Sequence, residues 1–123
     1  MSPKAKHELA RELLDQGLSA VDEGSELGAL TFLHLALEAA VVSVAEGHGI
    51  DTKKRHDKKA KAAHDLYEQG VMPEDFSGLM RLLNQARKDR TYEGEEPDLE
   101  GHSLEDIGRS ATLAVETAEG EAR

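Results

Sequence analysis

Four basic residues fall within ten positions of this chain, Arg81, Arg87, Lys88 and Arg90, and Tyr92 follows closely. Arginine presents a rigid fork of donors that matches phosphate, and a neighbouring tyrosine hydroxyl adds a hydrogen bond or holds the guanidinium in place. On a helix, Met80, Leu83 and Arg87 share one stripe at i, i+3 and i+7. The Arg87 side chain therefore leaves from the edge of the core face, which suits a fixed phosphate ligand. Arg and Lys in a last helical turn also complement the helix dipole and pair with nearby acids, so both readings stand at this stage.

The histidines form a second set. His34 and Glu38 are four apart on one helix face and fit a base with its orienting carboxylate, two metal ligands, or a structural hydrogen bond inside the fold. Two residues make no metal site, and no Glu-x-x-His pair of the di-iron bundle type occurs, so no metal is expected. His56 and His64 lie eight apart, about 80° out of line on a helix. With Lys53 and Lys59 they either face an anion together or form a solvated face. His7, His48 and His102 have no partner spacing and are assigned nothing. The glycines are scattered and form no phosphate loop, and no Ser, Thr or Lys stands in a nucleophile motif. Common hydrolase and NTPase chemistries are excluded, and no cofactor is expected.

The elements that must position these groups are helices. Ser2-Pro3 reads as a cap before a helix over 3–23, with Leu9, Leu13, Leu14, Leu18 and Val21 at helical spacing. Ser25 caps a second, Leu27 to Ala45, which is apolar on nearly every side and therefore central. After Gly47-His48-Gly49, Asp51 or Thr52 caps a third over 52–69, covered in Lys and Arg, with Ala60, Ala63, Leu66 and Tyr67 facing the core. Pro73-Glu74-Asp75 opens a fourth helix that buries Phe76, Leu79, Met80, Leu83 and Ala86 and runs to about residue 90. An acidic loop over 93–101 follows. Ser103 caps a fifth helix, Leu104 to about Glu119, with Ile107, Ala111, Ala114 and Ala118 on one side. The expected fold is all-α, an up-down bundle of four to five helices in a single domain over 1–119, with 120–123 as a frayed tail.

Composition narrows the classes further. Only 38% of the 123 residues are apolar and 3% aromatic, so the core must be Leu, Ala and Val with Phe32, Phe76, Met80 and Tyr67 as the larger pieces. Such a core is thin, which favours an apolar face completed by a second copy. Zero cysteines exclude disulfides and thiol chemistry. The N-terminus lacks an apolar leader, and the apolar stretch Leu27–Ala45 is broken by His34 and Glu38, so a soluble cytoplasmic protein is expected with no membrane partner. A net charge of −10 argues against general nucleic-acid binding. The charge is uneven, however. Residues 51–69 hold six Lys or Arg against four Asp or Glu, and 93–123 hold ten acids against two Arg.

The order of elements, with a central helix reading Phe32-Leu33-His34-Leu35-Ala36-Leu37-Glu38 and a later one ending Asn84-Gln85-Ala86-Arg87-Lys88-Asp89-Arg90-Thr91-Tyr92-Glu93-Gly94, resembles the HEPN superfamily across about residues 5–119. Its most telling part is an Arg five residues before a Tyr, followed by an acidic turn with Gly. The resemblance implies a dimerising bundle in which the Arg helices of two subunits line a cleft. Many HEPN proteins are metal-independent endoribonucleases whose motif is Arg, four to six variable residues, then His. There, Arg holds the scissile phosphate and His serves the 2′-hydroxyl attack. They act as toxins beside nucleotidyltransferase-like antitoxins or in phage defence, and others without the His bind nucleotides or partners. In this chain the corresponding positions are Tyr92, Glu93 and Gly94, and the next His is His102. Tyr92, with an ordinary pKa near 10, is a poor base at neutral pH. The resemblance therefore implies phosphate binding by Arg87, Arg90, Tyr92 and Asn84 in a homodimer cleft. The ligand would be RNA or a nucleotide, with Arg87 and Tyr92 as catalytic candidates and an antitoxin-like protein as a candidate partner. The alternative is a non-catalytic interaction module using the basic third helix and the acidic 93–106 segment.

Overall fold

The computed structural model describes residues 5–90, 94 and 96–123. They form five helices, α1 Lys6–Asp22, α2 Glu26–Gly47, α3 His56–Glu68, α4 Ser77–Lys88 and α5 Leu104–Glu121, and no strand among the described residues. The fold is an all-α helical bundle.

The apolar character of α2 explains the architecture. It buries twelve residues, among them Leu30, Leu33, Leu37, Val41 and Val44, and it touches each of the other four helices. Among the described residues it is also the one helix long and apolar enough to cross a membrane, and its place at the centre of the bundle accounts for that composition. Two helix triangles share α2. On one side α1 and α5 pack on it and on each other, and on the other side α3 and α4 do the same. Gly17 lets α1 approach closely, since a Cβ there would lie 2.6 Å from Leu33 Cδ2. Arg11 of α1 donates from Nε and Nη2 to Glu119 of α5 at 3.0 and 2.6 Å, which fastens the first triangle at its rim.

Several helix starts follow the predicted caps. Ser25 Oγ accepts from Gly28 N at 3.3 Å and Ser103 Oγ from Asp106 N at 3.0 Å. The expected start of α1 at Ser2-Pro3 falls outside the described residues, and α1 begins after Ala5.

Other expectations need correction. The third helix starts at His56 and not at residue 52, because Lys53 and Lys54 take left-handed backbone conformations (φ 53° and 58°) that no α-helix contains. Asp51 Oδ1 instead accepts from Lys53 N at 2.8 Å and closes a turn. The fourth helix starts at Ser77, not at Pro73. The Asp75 carboxylate accepts from both Ser77 N (3.0 Å) and Ser77 Oγ (2.6 Å), fixing the first helical turn there. The bent segment before it turns Met72 into the core. Tyr67 does not face the core but is 43% exposed, and Phe32 is only partly buried. At the other end α5 runs on to Glu121, held by the Arg11–Glu119 pair and by His48 Nε2 at 2.6 Å from Glu121 Oε1.

Candidate functional site

The second triangle encloses a polar cluster. From α2 come His34 and Glu38, which the i, i+4 spacing sets on one face, exposed by only 2% and 9%. From the first turn of α3 come His56 and Lys59. His56 Nδ1 donates to Glu38 Oε2 at 2.6 Å, and Lys59 Nζ approaches Glu38 Oε1 at 3.4 Å. His34 Nε2 stands 3.5 Å from the same Oε2, an electrostatic contact and not a good hydrogen bond. The two imidazole rings lie 5.5 Å apart, tilted by 46°.

From α4 comes Arg87, whose Nη2 donates to Asn84 Oδ1 at 3.3 Å one turn earlier. Its charge acts on His34. The stripe of Met80, Leu83 and Arg87 read from the sequence is thus real: Met80 and Leu83 are fully buried and Arg87 sits at their edge.

The electrostatics follow from burial and from these neighbours. Burial is the main cause that pushes the His34 pKa down to about 4, with Arg87, His56 and Lys59 acting the same way and Glu38 opposing them. His34 is therefore neutral at physiological pH. Burial disfavours the ionised Glu38, but the His56 hydrogen bond, His34 and Lys59 outweigh it and hold the carboxyl below its ordinary value. One carboxylate thus faces one cation and two imidazoles.

Three nitrogens here have no hydrogen-bond partner among the described residues: His34 Nδ1, His56 Nε2 and Arg87 Nε. Among the described residues these are the buried side-chain polar atoms left in that state, and all three belong to this cluster. Buried polar groups are almost always satisfied, and an unsatisfied one costs about 1–3 kcal/mol. Their concentration in one place marks the site.

Of the other residues singled out by sequence, Arg90 is exposed and pairs with Glu26 at the start of α2, Nε to Oε1 at 3.4 Å. Arg81 and Lys88 are exposed, and Tyr92 lies outside the described residues. His56 and His64 do not act together. His56 joins Glu38, while His64 Nδ1 hydrogen-bonds Asp75 Oδ2 at 2.8 Å, linking α3 to the entry of α4. Lys53 is exposed in the turn before α3 and takes no part. Sequence spacing missed the union of His56 and Lys59 with His34 and Glu38, because it depends on how the α2–α3 pair folds back.

A groove of about 440 Å³ opens beside the cluster, between α1, α2 and the turn before α3. Glu38 and Lys59 form part of its wall, next to Leu9, Leu13, Leu35 and Val42. Leu9 and Leu35 are 42% and 39% exposed there. The chain matches no known protein family, no curated protein and no solved structure.

Proposed function

We propose that this chain is a HEPN-type protein that recognises a phosphate of RNA or of a nucleotide through Arg87, acting as a cytoplasmic homodimer. The observation that carries the reading is the Arg87 Nε, a buried donor with no partner among the described residues, on a guanidinium that Asn84 orients. A phosphate oxygen satisfies that donor with a charge-assisted hydrogen bond. Neutral His34 beside it adds no competing charge. The overall charge of −10 opposes an anionic ligand, so binding has to rely on this local cluster, Lys59 included.

An endoribonuclease of a toxin–antitoxin or phage-defence system is the catalytic form of this reading. In that form His34 or His56 supplies the imidazole that the Arg87–Tyr92 segment lacks. Fluorescence anisotropy with a labelled single-stranded RNA over a salt series tests the binding. The slope of log K against log salt falls by about 0.7 when one phosphate contact is lost. Arg87→Met should weaken binding and lower the slope by that amount. Equal affinity and slope in the variant refute the assignment.

The groove favours a second reading, an interaction module. Leu9 and Leu35 stand exposed along one groove, a face that a second copy or a partner protein would cover. Sedimentation of Leu35→Glu against the parent chain tests it: a parent that is monomeric at micromolar concentration removes the dimer.

A further inference from the structure

We propose that His34, Glu38 and His56 form a binding site for a zinc-class divalent cation, held between α2 and α3 with one coordination position left for water or an anion. Each residue offers one ligand atom, and the three atoms lie within 4.8 Å of one another. Two imidazoles and a carboxylate suit zinc, cobalt or nickel, whereas magnesium and calcium prefer all-oxygen sets.

The geometry is close to what such an ion needs. Bonds of about 2.0–2.2 Å at tetrahedral angles place ligand atoms about 3.4 Å apart. His34 Nε2 and Glu38 Oε2 are 3.5 Å apart already. The His56 Nδ1–Glu38 Oε2 hydrogen bond, at 2.6 Å, must open by somewhat under an ångström and give up its proton from that nitrogen. His56 Nε2 is uncommitted and can carry that proton instead. His34 likewise keeps one nitrogen without a partner among the described residues.

Two cations oppose the ion. Lys59 Nζ lies 3.4 Å from Glu38 Oε1 and is the direct competitor for the carboxylate. Its side chain is partly exposed on α3 and can swing to solvent. Arg87 stays, bound to Asn84, and draws an anion to the open coordination position. This inference does not depend on the phosphate reading, because it concerns the cation alone.

The experiment titrates chelator-treated, desalted full-length protein with zinc by calorimetry and with cobalt by visible absorption, in buffer without phosphate or RNA. One equivalent should bind, with cobalt showing the bands of a low-coordinate imidazole site. Glu38→Gln and His56→Ala should each weaken zinc by at least about 100-fold, beyond the ~10- to 100-fold of a merely supporting group. Lys59→Gln should tighten it about tenfold, and this variant, at a partly exposed position that supplies no ligand, keeps the test decisive if a ligand variant fails to fold. Binding that is absent, that exceeds one equivalent without a distinct first site, or that is unchanged in Glu38→Gln and His56→Ala overturns the site. A Lys59→Gln variant that binds no tighter than the parent overturns it as well.

Discussion

Replacing Arg87 by Met separates a functional arginine from a structural one. In the free chain, Arg87 buries an Nε with no partner, at a cost of about 1–3 kcal/mol, and gains one hydrogen bond to Asn84 worth about 0.5–1.5 kcal/mol. Methionine fills a similar volume along Met80 and Leu83, carries no donor, and removes a positive charge that acts on His34. The balance runs from a loss of about 0.5 kcal/mol to a gain of about 2.5 kcal/mol for Arg87→Met. A gain of 1 kcal/mol raises the melting temperature of a domain this size by roughly 4 °C. Urea unfolding followed by circular dichroism, with the slope checked for constancy, measures the difference. RNA binding by the same variant should fall in the same samples. Stability gained while binding is lost is the signature of a side chain kept for its ligand. A stability loss of more than about 1 kcal/mol makes Arg87 a support of the bundle and removes the basis of the phosphate assignment.

His34 gives the pH dependence. Its folded pKa of about 4 lies below the ordinary value near 6.5, so the unfolded chain binds more protons between the two. Stability therefore falls as pH drops from about 6.5 through 4, by up to about 3 kcal/mol, and His34→Leu should flatten that part of a urea-midpoint profile in chelator-containing buffer. Glu38 adds to the loss below its own ordinary range, since its carboxyl is held low. Asp75, depressed to about 2 first by the Ser77 hydrogen bond and then by His64, supports the fold above about pH 4 and loses that role as pH falls through 2. The His64 partner has a raised pKa, first through its hydrogen bond to Asp75, so the pair's share is present below about 6.5 and fades as pH rises. Asp75→Ala should cost about 1 kcal/mol at pH 6 through its lost hydrogen bonds to Ser77 and His64, and measurably less at pH 8.5. Gly17→Ala sets a Cβ 2.6 Å from Leu33 Cδ2 and 3.1 Å from Leu33 N. An overpacking cost of about 1–3 kcal/mol, partly offset by helix propensity, should leave it less stable. Gly78→Ala, with nothing within 4 Å, should gain about 0.5–1 kcal/mol by the same unfolding assay.

Much of the fold was legible because its signals are local. An all-round apolar helix has to be central, and α2 contacts all four others. Ser25 and Ser103 sit before apolar periodicity and cap as expected. The starts of α3 and α4 were misplaced by a common cause. Asp51 and Asp75 are good capping residues, yet each spends its carboxylate on the amide two residues ahead. At α3 the left-handed Lys53 and Lys54 then delay the helix to His56, a conformation that Lys residues do not announce in sequence. Tyr67 looked like core by periodicity, but α3 packs through its small residues Ala60, Ala62 and Ala63 together with Leu66, which leaves the larger ring outside.

The site was legible in halves. His34 with Glu38 is visible as a spacing on α2, and Arg87 is visible as a polar residue at the edge of an apolar stripe on α4. Their meeting is a property of packing, because α3 delivers His56 and Lys59 to the Glu38 carboxylate from eighteen or more residues away. Replacing buried ionic groups by apolar side chains is often neutral or stabilising. The neighbouring positions on α2, Leu33, Leu37 and Val41, show that this helix carries aliphatic side chains without difficulty. A helix that could be apolar throughout nonetheless holds a neutral histidine and an ionised glutamate, facing an arginine with an unmet donor. On the reading proposed above, those groups would form the binding surface for a charged ligand.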